Sequence, residues 1–180
     1  RISMGTKYPA LYFSYSKGLT DFLNSELEYN KIEARLEKSF LSKNLGETKF
    51  RVDAGLIDGV LPYPLLFTGE GSYDENLRVV INNYFQTVDP YEFLSDKYAN
   101  LFVSHHFESL LFKTERFQPR ISVHHNMGWG SLSKLNEQVH LEYKTKENIL
   151  MESGLILHDL LKMNYLNLGY LGFGAGIFYR

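Results

Sequence analysis

The sequence predicts an all-β chain: an antiparallel transmembrane β-barrel segment, about eight strands of a larger barrel. Three observations predict it. Apolar residues alternate with polar ones in nearly every segment, the signature of strands with one apolar face. The alternating runs are longer than the five or six residues usual in globular strands and suit a tilted membrane crossing. Aromatics make up 15% of the 180 residues, with 13 Tyr, 13 Phe and 1 Trp, and they gather near the ends of the expected strands.

The expected strands are 9–17, 29–42, 47–57, 76–86, 98–111, 120–131, 148–158 and 167–180, with long loops near 58–75 and 132–147. In the first, Leu11, Phe13 and Tyr15 oppose Tyr12, Ser14 and Ser16. The hairpin at 31–57 carries the clearest signal. Folded about Asn44, it sets Arg35 opposite Asp53 and Glu37 opposite Arg51, with Leu36 opposite Val52 and Ala34 opposite Ala54. Opposite charges across an antiparallel pair stabilise by roughly 0.2–1 kcal/mol each. A helix is the rival for its first half. Ile32, Leu36 and Phe40 lie at i, i+4 and i+8, and Ser25 with Glu28 has the spacing of a capping box. The charge matching with 49–56 decides for strands.

The fourth segment, 76–86, carries Tyr84 and Phe85 near its end. In 120–131, Ile121, Val123, Met127 and Trp129 share a face opposite Arg120, Ser122, His124 and Asn126. The last segment alternates Gly172, Gly174 and Gly176 with bulkier residues, as tight curvature of a strand requires. Loop lengths do not sort into one short and one long set, so orientation stays open. No linker composition divides the chain, and 1–180 reads as one β-barrel segment.

Composition excludes several classes of function. Lys and Arg number 19 against 21 Asp and Glu, too balanced for a nucleic-acid-binding face. Cysteine is absent, which removes disulfides, thiolate metal sites and Cys nucleophiles. No apolar run reaches the length of a membrane helix, which leaves barrel strands untouched. Two architectures fit the alternation. A soluble barrel points its apolar face inward; a membrane barrel points it at lipid and lines its lumen with charge. In the second, Ile32, Leu36, Val52 and Leu56 face lipid while Arg35, Glu37, Arg51 and Asp53 face the lumen.

A family resemblance favours the membrane. It rests on Leu61-Pro62-Tyr63-Pro64-Leu65-Leu66-Phe67 after Gly55 and Gly59, on 91–99, on His105-His106-Phe107 and on Leu110-Leu111-Phe112-Lys113. Glu152-Ser153-Gly154-Leu155 and the run 172–180 extend it. Together these segments resemble the C-terminal outer-membrane β-barrel of a Bacteroidetes family of unknown function. Members of that family usually carry an N-terminal carboxypeptidase-regulatory-like domain. The resemblance implies localisation in the cell outer membrane, a barrel akin to those that insert or export proteins, and strands beyond both ends of this chain. It brings no catalytic residues.

Histidine is the most tempting chemistry. A hairpin centred near Glu115 would pair His105 with His125 and His106 with His124, with Glu108 alongside. His106, His124 and Glu108 are weak metal candidates, since a zinc site normally takes three or four ligands; a polar lumen pair is the simpler reading. Ser104, Ser109, Ser122 and His158-Asp159 supply residue types for a nucleophilic triad without a Gly-x-Ser-x-Gly elbow. Glu33, Glu37 and Asp53 have cationic partners, which lower carboxyl pKa values and make poor general acids.

The expected function is non-enzymatic: an outer-membrane barrel in transport or envelope biogenesis, with no catalytic residue, cofactor or nucleic-acid partner. Its partners would be outer-membrane lipid and the remaining strands of the barrel or another envelope protein. Without those strands the two sheet edges would lie unpaired in hydrocarbon, so the isolated 180 residues are expected to aggregate. A soluble β-barrel binding an apolar ligand is the alternative, and a barrel enzyme using His105 or His106 the third hypothesis.

Overall fold

The computed structural model describes residues 8–20, 27–43, 45–73, 79–107, 119–137, 141–165 and 169–180. It is all-β, with 63% of the described residues in strands. The strands are β1 (Ala10–Gly18), β2 (Tyr29–Ser42), β3 (Gly46–Gly59), β4 (Phe67–Thr68), β5 (Leu94–Ser95), β6 (Lys97–His106), β7 (Arg120–Ser131), β8 (Leu150–Tyr165) and β9 (Gly169–Tyr179). Seven form one antiparallel sheet in the order β1-β2-β3-β6-β7-β8-β9, and β4 pairs with β5 apart from it. Among the described residues β1 and β9 do not pair, so the sheet is not closed.

Residues 29–42 are a strand and not a helix, and the β2–β3 hairpin has the expected register. Arg35 lies opposite Asp53, Glu37 opposite Arg51, Leu36 opposite Val52 and Ala34 opposite Ala54. Arg35 Nε donates to Asp53 Oδ1 at 2.7 Å. Arg51 Nε donates to the other carboxylate oxygen at 2.6 Å.

Two expectations are corrected. The described part of 76–86 is not a strand. Asn83 takes a left-handed φ of 62°, and Gln86 folds back to bond the N–H and C=O of Ile81 and the C=O of Tyr84. This turn chemistry of Asn breaks the run that Val79-Val80-Ile81 begins. The strand at 148–158 continues to Tyr165. It passes a break in register between Leu157 and Leu161, where Asp159 takes a φ of 55°, as a bulge allows. As expected, the connections do not sort cleanly by length: 19–28, 60–96 and 132–149 join strands at one end of the sheet and 43–45, 107–119 and 166–168 at the other, yet 107–119 is longer than 19–28.

The described parts of the long segments 60–93 and 132–149 pack on one face of β3, β6, β7 and β8. At their root, Leu61, Leu66, Phe67 and Leu94 bury against Ile57 of β3. Asn136 staples this root: its Oδ1 accepts from the Leu61 N–H at 2.9 Å and its Nδ2 donates to the Gly59 carbonyl at 3.1 Å. Further in, Phe85, Val88 and Phe93 form a second cluster with Phe102 of β6. Gly128 of β7 makes room for it, because a Cβ there would lie 2.7 Å from Phe85 Cζ.

Candidate functional site

The covered face of the sheet buries polar residues alongside Ile57, Phe102 and Ile156, while the open face is rich in exposed apolar ones. On the face under the long segments the strands present Asp53, Asn100, Ser122, Asn126 and Glu152, all no more than 5% exposed. On the other face Leu36, Phe50, Val52, Leu56, Val123, Trp129, Met151 and Leu155 are each more than a third exposed. Buried polar and exposed large apolar residues are the informative exceptions to ordinary burial. The expected sorting holds: Val52 and Leu56 lie outward, Asp53 and Arg51 inward.

The outward apolar residues form a diagonal belt. On β1 it consists of Leu11, Phe13 and Tyr15, and on β9 of Phe173, Ala175 and Ile177. Following the register, Phe13 aligns through Ala34, Ala54 and Ala99 with Trp129 of β7. Ala175 aligns through Leu157 with Ile121 of the same strand. The belt therefore climbs from Trp129 to Ile121 while crossing six strand spacings. At about 3.3 Å per residue and about 4.8 Å per strand, that is a tilt of roughly 40°.

Inward, the polar wall is matched by the loops that cover it. Glu152 Oε2 accepts from the Thr87 N–H and hydroxyl, both at 2.7 Å, while its Oε1 accepts from Asn126 Nδ2 at 2.8 Å. Arg51 reaches Glu70 at 3.7 Å. Asn100 donates to Glu70 at 3.5 Å and accepts from Lys146 Nζ at 3.3 Å. Burial raises the Glu70 carboxyl, with the Asp53 charge adding to it, against the pull of Arg51 and Lys146. Burial lowers the Lys146 ammonium from 10.5 to about 8, opposed by Glu70.

The sign of the Lys146 effect follows from linkage. Between about 8 and 10.5 the unfolded chain holds this proton more tightly than the folded one, so stability rises with pH across that window. Urea midpoints compared at pH 7.5 and pH 10 should show this rise in the wild type and lose it in Lys146→Met. An equal rise in both would contradict the assignment.

The histidines fall two residues away from the expected register. Ser104, not His106, lies opposite His124, and His106 lies opposite Ser122. His106 and His124 are diagonal neighbours on the inward face, with ring centroids 5.7 Å apart. His158 joins them, 5.9 Å from His106. Ser122 Oγ lies within hydrogen-bond distance of both rings, 2.9 Å from His124 Nε2 and 2.7 Å from His158 Nε2. Glu108 lies outside the described residues, and among those described no three metal-binding side chains converge on a site. Ser122 and His158 thus meet, but Ser122 is fully buried, and Asp159 is bonded to Arg120 at 2.7 Å. At Ser122 and His158, then, neither an accessible nucleophile nor an orienting carboxylate is in place; the half-buried Ser104 lies 3.4 Å from His106 Nε2.

Two further histidines point outward. His105 bonds Thr48 Oγ1 at 2.8 Å, and His125 Nδ1 bonds Ser153 Oγ at 2.8 Å within the apolar belt. Gly172, Gly174 and Gly176 line a chamber of about 850 Å³ with Phe178, His158 and loop residues Ser72 and Thr87.

No curated protein matches the chain, and no solved structure does. Residues 1–57, which span β1, β2 and most of β3, match the model of the family of unknown function DUF5686, C-terminal domain. In that part the chain is similar to an uncharacterised C-terminal domain, in line with the resemblance its sequence suggested.

Proposed function

We propose that these residues form part of a non-enzymatic β-barrel of the cell outer membrane, serving transport or envelope biogenesis. The observation that carries the reading is the diagonal outward belt. Its tilt of roughly 40° falls in the range of strands that cross a membrane as a barrel. A polar inner wall is the other half of that pattern, and a soluble barrel with an apolar cavity would have the opposite facing. Strands supplied from outside the described sheet, or by another envelope protein, would cover the edges of β1 and β9. Barrels of this class carry their longer loops on the extracellular side, so the end bearing 60–96 and 132–149 is assigned outward.

Expression of the full-length protein in a bacterial envelope tests the reading. It should fractionate with the outer membrane, resist carbonate extraction and migrate faster on gels before boiling than after. Release as a soluble protein would contradict it.

The outward pair His125–Ser153 offers a sharper check. In hydrocarbon each group depends on the other. Ser153→Ala alone should therefore cost about 1–3 kcal/mol, and His125→Leu with Ser153→Ala should restore stability. On a face meeting water, both variants should stay within about 0.5 kcal/mol of wild type.

A further inference from the structure

We infer that Asp96, at the root of the long segments, binds a calcium ion through its Oδ1, among neutral oxygens from the segments that follow β3 and β7. The inference stands apart from the membrane reading and does not need it.

The first observation is an orphaned charge. Asp96 is 2% exposed, and its Oδ1 is the one buried side-chain polar atom without a hydrogen-bond partner among the described residues. No ion pair among those residues reaches it either. A buried carboxylate with neither a counter-charge nor donors on one oxygen is costly, and such groups in native proteins meet a water or an ion.

The second observation is that the carboxylate is held in place. The Asp96 N–H donates to the Ser131 carbonyl at 2.9 Å, and its own carbonyl accepts from the Ile57 N–H at 2.7 Å. Its Oδ2 accepts from the Ser133 N–H at 2.8 Å and from Asn136 Nδ2 at 3.3 Å. Ile57, Leu61 and Leu94 are buried at the same root, with Leu132 packed against them.

The third observation is a surplus of acceptors. Asn136 Nδ2 lies 3.1 Å from the Gly59 carbonyl, 3.3 Å from Asp96 Oδ2 and 3.3 Å from Ser133 Oγ. An amide nitrogen has two hydrogens for these three oxygens. The amide cannot be reversed, because Asn136 Oδ1 accepts from the Leu61 N–H at 2.9 Å. A carboxylate, a backbone carbonyl and a hydroxyl, completed by water, form a donor set that calcium accepts. Magnesium demands a stricter octahedron, and the absence of nitrogen and sulfur donors disfavours transition metals. The site draws on one carboxylate, so no cluster of acidic or histidine side chains marks it. That charge count suits the affinity of extracellular calcium modules, about 10⁻⁴–10⁻³ M. Bound there, the ion would fasten together the chain at Gly59, Asp96 and Ser133.

The test uses the full-length protein, purified in detergent and stripped with EGTA. Equilibrium dialysis against radioactive calcium should find one more ion per chain in the wild type than in Asp96→Asn, which keeps the shape of the side chain and removes its charge. Calcium at about 5 mM, above the expected dissociation constant, should raise the thermal midpoint of the wild type and leave that of Asp96→Asn unmoved. Ser133→Ala keeps the charge and removes one neutral oxygen, so it should bind the same ion severalfold more weakly. If Asp96→Asn does not fold, Ser133→Ala decides alone. Equal calcium stoichiometry in the wild type and Asp96→Asn would overturn the site, as would equal affinity in the wild type and Ser133→Ala. Oδ1 would then carry a water or a proton. Fractionation of the protein away from the outer membrane would sink the membrane reading and leave this comparison intact.

Discussion

Val52→Arg should destabilise the bilayer-inserted protein by about 2–4 kcal/mol, the cost of a cation near the middle of an outward barrel face. Val52 is 39% exposed on β3, flanked outward by Phe50 and Ala54 and paired with Leu36 and Leu101. Ser14→Arg, on the inward face of β1 and also exposed, should change stability by no more than about 0.5 kcal/mol. Urea unfolding in lipid vesicles reads both. If the outward face met water, the two substitutions would be alike, so the difference between them carries the information.

Asp53→Ala should cost about 3–5 kcal/mol, because it leaves two guanidinium groups without their shared carboxylate in a buried setting. Asp53 is 1% exposed and accepts from Arg35 and Arg51 on its two oxygens. Arg35 is 44% exposed at its side chain and can recover water, so the loss should fall mainly on Arg51, 11% exposed and also engaged by Glu70. The double variant Asp53→Ala, Arg51→Leu should therefore lose less than the single one. A smaller loss in Asp53→Ala than in the double variant would show that the carboxylate is not the hub of this network.

Why the hairpin of β2 and β3 was legible and the histidine hairpin was not comes down to the turns. Alternation fixed the faces of both. In the first, a three-residue connection at 43–45 and the opposed charges of Arg35, Glu37, Arg51 and Asp53 left one register. In the second, the connection 107–119 is long, nothing in it marks a centre, and a shift of two residues keeps every side chain on its face. The facing of His106 and His124 was therefore right while their pairing was not. His158 joins them only because β8 lies beside β7, a fact of topology that no local pattern carries. The packing of Phe85, Val88 and Phe93 against the sheet was hidden for the same reason. Phe85 and Val88 read as parts of a strand or loop until the wall residues that cover them are placed.

The central claim is that the outward apolar face meets lipid and the inward polar face does not. Nitroxide labels at positions 36 and 52 on the outward face, and at 33 and 37 on the inward face, test it in vesicles. Molecular oxygen, which concentrates in hydrocarbon, should relax the labels at 36 and 52 more strongly. A water-soluble nickel chelate should favour those at 33 and 37. The reverse order, or equal access of the chelate to all four, would contradict the account.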